Sequence, residues 1–129
     1  MNDDDPGNRF GHTNLVDQLE AHHLTWAPYM ESMPAAGYLE PYYPPTIGLY
    51  VNRHNPFILY TDIRSKASRR AHIKPYASFA RDMRRSRIPN LVWISPNICH
   101  DMHGGVTATV AAGDEARAPG ATTIRTTSP

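Results

Sequence analysis

The hydrophobic pattern becomes readable at Thr13-Asn14-Leu15-Val16-Asp17-Gln18-Leu19-Glu20, where Leu15, Val16 and Leu19 share one helical face. Thr13 or Asn14 is placed to cap, and Asp17 or Gln18 falls near the third position of a capping box. The spacing predicts a helix near 14–23. A turn through His22 and His23, read as a solvated helix end, leads to an extended Thr25-Trp26-Ala27-Pro28-Tyr29-Met30. Pro28 has no amide donor, which argues against a central strand unless the ladder is interrupted there. The run Phe-Ile-Leu-Tyr-Thr-Asp-Ile over 57–63 is either a buried strand or the first turn of a helix, and its length does not decide. Helical spacing returns with Tyr76, Phe79, Ala80 and Met83, and Pro75 suits a first helical position, so a helix is predicted over 75–87 and ended by Pro89. Its outer face and last turn carry Arg81, Arg84, Arg85 and Arg87, as the helix dipole favours. Residues 90–95, Asn-Leu-Val-Trp-Ile-Ser, are apolar on both faces, the pattern of a buried parallel strand. Helix, apolar strand and polar turn in that order make an αβ unit with a site at the strand's C-terminal end.

Between these elements the chain is irregular but not featureless. Residues 31–56 carry five prolines with Tyr38, Tyr42, Tyr43 and Tyr50 among them. Prolines restrict the backbone and lower the entropy lost on ordering, so this segment reads as an ordered, functional loop. The last 26 residues differ in kind: sixteen are Gly, Ala or Thr, and none is Leu, Phe, Tyr, Trp or Met. Residues 104–129 are therefore expected to be a disordered, low-complexity tail behind a partial domain of residues 1–103.

Composition narrows the function classes. In 129 residues, Leu, Ile, Val and Phe number 23, a thin supply for a self-sufficient core, to which seven Tyr and two Trp add. One Cys excludes an internal disulfide and any cysteine-based zinc cage, and Cys99 reads as a small buried residue rather than a nucleophile. No apolar run approaches membrane-spanning length, and the acidic start MNDDDPGNRF is the reverse of a signal peptide. Stable membrane insertion is not expected. Net charge is only +1, yet residues 1–62 hold eight acidic groups and residues 64–87 hold nine of the thirteen basic ones. A cluster of this kind either tracks phosphates or forms a solvated helical surface. Basic residues and aromatics do not interleave as in RNA-binding signatures, so nucleic acid is not an expected partner.

Two segments carry candidate chemistry. Arg53-His54-Asn55-Pro56-Phe57 joins the tyrosine-rich loop to the apolar run, and Pro96-Asn97-Ile98-Cys99-His100-Asp101-Met102-His103 follows the best strand. Imidazoles beside carboxylates at a strand end donate to phosphoryl oxygens, ligate metals or exchange protons. His100, Asp101 and His103 offer three groups of metal-ligand type within four residues, and a hydrogen-bonded capping turn is the competing reading. Met30 and Met33 read as packing.

Three ordered segments carry a resemblance. Residues 14–20 with Leu24-Thr25-Trp26-Ala27-Pro28-Tyr29-Met30-Glu31-Ser32-Met33-Pro34, then 53–57, then 89–103 are together similar to the bacterial phosphoesterase family of acid phosphatases and phosphatidylcholine-type phospholipases C. In that family the last two elements read Lys-His-Asn-Pro-Phe and Pro-Asn-strand-Pro-Asn-Leu-Cys-Asn-Asp-Met-His. The resemblance implies an α/β class, a partial three-layer α/β/α sandwich of alkaline-phosphatase type. It also implies hydrolysis of phosphate esters as substrate class and a divalent metal ion for the complete family domain. His54 and His103 resemble the family's active-site histidines, with Asn55 and Asp101 as orienting partners. His100 ranks lower, because family members often carry Asn in its place. The family's nucleophile and Asn-containing metal element precede the matched segment, and its Phe-Asp-Glu-like carboxylate pair follows it. Asp114-Glu115 has no preceding strand and takes no metal role here, so no metal is expected on this chain. The expectation is a truncated phosphoesterase, inactive alone. Its alternatives are a non-catalytic anion- or partner-binding module using the basic 64–87 surface, or a remnant without function.

Overall fold

A computed structural model describes residues 9–102. The predicted tail therefore lies outside the described residues, as does His103. In chain order the elements are α1 (Leu15–Ala21), β1 (Trp26–Met30), β2 (Tyr42–Tyr43), β3 (Tyr50–Val51), 3-10 turns at Asn52–His54 and Pro56–Leu59, α2 (Thr61–Ser65), α3 (Ala67–Arg70), β4 (Lys74–Pro75), α4 (Ala77–Arg84) and β5 (Leu91–Ser95). Three strands form a parallel sheet in the order β4-β1-β5, and β2 and β3 form a small antiparallel pair.

Local chemistry accounts for α1. The Asn14 side chain accepts from the amides of Val16 and Asp17, and the Asp17 carboxylate accepts from the Asn14 amide at 3.1 Å, completing the capping box. Val16 is buried, while Leu15 stays half exposed although periodicity placed it on the same face.

Strand β1 is the centre of the molecule, with all five residues buried. Its side chains alternate between two layers. Trp26 and Met30 enter the main core with Val16, Phe57, Ile63 and Ile73, where the Trp26 indole stacks on Phe57 at 5.6 Å and on His72 at 4.8 Å. Tyr29 meets Phe79 of α4 edge-on at 5.1 Å. Helical segments thus pack on both faces of a parallel sheet, the expected α/β arrangement of a partial three-layer sandwich.

Pro28 sits in this central strand under the condition that the sequence required. The Thr25 carbonyl and the Glu31 amide bond to β5, whereas the carbonyls of Trp26 and Met30 accept from His72 and Tyr76 on the β4 side. Pro28 shares the parity of Trp26 and Met30. Its missing donor faces the β4 side, where the ladder begins only at Tyr29↔Lys74. The β1–β5 ladder, Trp26↔Leu91 through Met30↔Ser95, loses nothing.

Three expectations are corrected. Pro75 is not the first residue of the helix but the end of β4, because the Tyr76 amide still bonds to the Met30 carbonyl at 2.9 Å and α4 starts only at Ala77. The buried positions of α4 are Ser78 and Asp82, with Tyr76 and Met83 exposed. The helix is turned toward the sheet by Asp82, which accepts from the Tyr29 hydroxyl at 3.0 Å and from Lys74 Nζ at 2.8 Å. Strand β5 pairs on one side only among the described strands, so Trp93 and Ile94 are exposed despite their apolar character. The undecided run 57–63 becomes a 3-10 turn followed by α2, burying Phe57, Ile58 and Ile63. The tyrosine-rich segment is held by Tyr42↔Val51 pairing and by Tyr38, whose ring meets Tyr43 and Tyr50 at 5.8 and 5.9 Å.

Donation from Lys74 and then from Tyr29 holds the Asp82 carboxyl below its ordinary value of 3.8. Burial, reinforced by Asp82, pushes the Tyr29 phenol up to about 12. Asp82→Ala is expected to lower urea-unfolding stability by about 1–3 kcal/mol, since it leaves a buried hydroxyl and an ammonium without their acceptor. The Asp82 contribution is present above pH 3.8 and fades as pH falls through the lowered value, whereas the Tyr29 contribution is complete below pH 10.0 and fades as pH rises toward 12. Stability measured across pH in wild type and Asp82→Ala checks both slopes.

Candidate active site

Parallel strands end on the same side, so β1 and β5 deliver Glu31 and the 96–101 turn to one edge of the sheet. Glu31 ties the two together. Its amide donates to the Ser95 carbonyl at 2.9 Å, and its Oε2 accepts from the Asn97 amide at 2.9 Å. Its carboxylate also meets His100 Nδ1 at 2.8 and 2.9 Å. Buried Asn97 closes the turn by donating to Ser32 Oγ at 3.0 Å and accepting from the Cys99 amide at 2.9 Å.

The 53–57 segment reaches the same edge from the other direction. Ser95 Oγ donates to the His54 carbonyl at 2.8 Å and accepts from Trp93 Nε1 at 2.9 Å. Phe57 anchors the segment in the core against Trp26 and, edge-on at 5.9 Å, against Trp93. With the two segments held, His54 Nδ1 lies 3.6 Å from Asp101 Oδ2, an electrostatic contact just beyond hydrogen-bond length. The neighbouring Asn55 is fully buried and donates from Nδ2 to the Tyr50 hydroxyl at 3.2 Å. Its Oδ1 has no partner. Burial is the main reason the Tyr50 phenol is pushed up to about 12.

Of the residues singled out in the sequence, His54 and Asp101 are brought together, Asn55 is turned into the interior toward Tyr50, and His103 lies outside the described residues. His100 and Asp101 part company: the first turns to Glu31 and the second to His54. The compact metal-type triplet read from their spacing is not formed by these two residues. Among the described residues no group of three or more His, Cys, Asp or Glu side chains is placed to hold a metal ion. Cys99 is exposed, not buried, because the turn is folded over Asn97 rather than over its thiol. Motif reading misses Glu31 and Ser95. Their signal is positional, since each stands at the C-terminal end of a strand.

Part of the basic 64–87 segment is absorbed by the fold. Arg69 bridges Glu20 at 2.6 Å, Asp17 at 2.8 Å and Asp62, which joins α1 to the α2–α3 region. Lys74 is engaged by Asp82, while Lys66, Arg81, Arg84, Arg85 and Arg87 remain exposed. Among the described residues no helix is long and apolar enough to cross a membrane.

A model of the phosphoesterase family matches residues 1–126. The chain is 33% identical over 92 residues to a phosphate-repressible acid phosphatase of Penicillium chrysogenum, and 33% identical over 98 residues to a probable acid phosphatase of Kluyveromyces lactis. It is 32% identical over 92 residues to an acid phosphatase of Aspergillus niger. Each match covers 70% of this chain and 22% of the relative, so the chain spans about a fifth of the proteins it matches. No solved structure matches it.

Removing the Glu31 carboxylate is expected to free the 96–101 turn. In Glu31→Ala, the amide of Asn97 should exchange with deuterium about tenfold faster or more, while the amides of Leu91–Ser95 keep their protection. Hydrogen exchange read by NMR checks this, and equal acceleration along β5 would show instead that the sheet had opened.

Proposed function

Because the chain belongs to the phosphoesterase family, we propose that it forms part of a phosphate-ester hydrolase whose His54 and Asp101 face the phosphoryl group. The observation that carries this reading is the approach of Asp101 Oδ2 to His54 Nδ1 at the C-terminal edge of the parallel sheet. In this reading the carboxylate beside Nδ1 orients the ring and favours its imidazolium form, whose Nε2–H meets the substrate. There the imidazole donates to a non-bridging oxygen as charge builds up, or protonates the departing alkoxide. Asn55 supports the element from beneath through Tyr50. His103 is the second imidazole of this proposed site, and His100, drawn to Glu31, holds the turn rather than the substrate. The relatives are named acid phosphatases, which favours phosphate monoesters as the substrate class.

A divalent metal ion belongs to the complete catalytic domain in this reading, where it would polarise the phosphate and activate a nucleophile. The described residues do not fit such an ion: His54 with Asp101 and His100 with Glu31 each supply two donors of the right type, in separate pairs. The alternative of a binding module built on the whole 64–87 surface is less favoured, since Arg69 is spent on Asp17, Glu20 and Asp62.

The donor role without a nucleophile has a direct test in the 129-residue chain. Expected is hydrolysis of p-nitrophenyl phosphate no faster than in buffer with the same metal, together with NMR shifts at His54 and Asp101 on adding orthovanadate, abolished by His54→Ala. Turnover that disappears in His54→Ala would show that the chain also carries a nucleophile. No response at His54 to any phosphate analogue would overturn the site.

A further inference from the structure

A second concave region lies at the opposite end of β1 from Glu31. It is a cleft of about 330 Å³ lined by the first residues of β1, by His72 and Lys74 beside it, and by Arg87, Ile88 and Pro89 of the turn before β5. The strand rise from Trp26 to Met30 puts about 13 Å between this cleft and the catalytic edge.

Its side chains differ in how far the fold has already used them. His72 Nδ1 donates to the Trp26 carbonyl at 3.1 Å and its ring stacks on the Trp26 indole, so the ring is held and Nε2 is its remaining nitrogen. Lys74 gives one of its three ammonium protons to Asp82, leaving two. Arg87 bonds through its backbone amide to the Asp82 carbonyl, and among the described residues nothing engages its guanidinium. The Thr25 hydroxyl is occupied by Asn90. Two carboxylates stand behind these groups without lining the cleft: Asp82, which accepts from Lys74, and Glu20, which accepts from Trp26 Nε1 and interacts electrostatically with His72. The opening thus brings the Lys74 ammonium and the Arg87 guanidinium together beside Ile88 and Pro89.

We propose that this cleft binds a phosphate-class oxyanion through Lys74 and Arg87, at a site separate from His54 and Asp101. A guanidinium offers two parallel N–H groups to such an anion, and an ammonium adds a point charge from a second direction. The volume exceeds that of a bare tetrahedral oxyanion, so a phosphate carrying a small organic group also fits.

The test is an amide NMR titration of the 129-residue chain with inorganic phosphate and, in parallel, with phenyl phosphate. Saturable shifts are expected at His72, Lys74, Arg87 and Ile88. Arg87→Ser should weaken binding about tenfold, and Arg87→Lys should restore part of the loss. Circular dichroism should be unchanged in Arg87→Ser, because that side chain leaves no internal partner behind. Tighter binding of phenyl phosphate would assign the ester as the ligand, and equal binding the phosphate group alone. Either upholds the site. Equal shifts with chloride at matched ionic strength, binding indifferent to Arg87→Ser, or shifts confined to His54 and Asp101 would overturn it. A response at Arg87 with none at His54 would leave this cleft standing and remove the catalytic reading instead.

Discussion

Parallel pairing between Trp26–Met30 and Leu91–Ser95 places two segments that are some sixty-five residues apart in sequence side by side and pointing the same way. A parallel ladder sends both chains out at one edge, and that direction is why Glu31 and Asn97 meet. The remaining contacts of the candidate site follow from this meeting. Ser95, the last residue of the same ladder, turns its hydroxyl to the His54 carbonyl, and the folded 96–101 turn then carries Asp101 to the His54 ring. A slip of one residue in this register would send Trp26 and Met30 to the α4 face and undo both the core and the site.

Charge segregation along the chain is partly resolved by folding. The acidic first half supplies Asp17, Glu20 and Asp62, and the basic second half supplies Arg69, which collects all three. Hydrogen bonding to the Asn14 amide and pairing with Arg69 hold the Asp17 carboxyl below its usual range. Tyr29, Lys74 and Asp82 repeat the device on the opposite face, where they bind α4 to the sheet. These links join elements whose apolar contacts are few, as the small aliphatic content requires. What remains unspent among the basic groups is concentrated on α4 and the turn after it, Arg87 included.

The 53–57 and 96–101 segments meet at one edge of the sheet. The matches extend over about a fifth of the acid phosphatases concerned, and within that fifth the two histidine-bearing segments converge on one sheet edge. The buried Asn55 acceptor and the two separate imidazole–carboxylate pairs are the features that distinguish this edge chemically from a simple polar turn.

Features that depend on neighbours along the chain are legible in the order of residues alone. The α1 cap is an exchange between Asn14 and Asp17, three residues apart, and the strand at 91–95 is announced by its own side chains. The motifs around His54 and Asp101 are legible for the same reason. Other features rest on partners that periodicity cannot identify. Pro28 is tolerated in a central strand because of which side its missing donor faces, and Pro75 ends a strand because Tyr76 still bonds to Met30. α4 buries Ser78 and Asp82 because Tyr29 and Lys74 wait beneath it, and His100 separates from Asp101 because Glu31 stands at the end of another strand. The helix cap, the strand and the candidate histidine segments are all set by interactions spanning a few residues, so residue order suffices to find them. Which edge they share, and which carboxylate each imidazole meets, is settled in three dimensions, because those pairings close loops of roughly forty to seventy residues and depend on the register of the sheet.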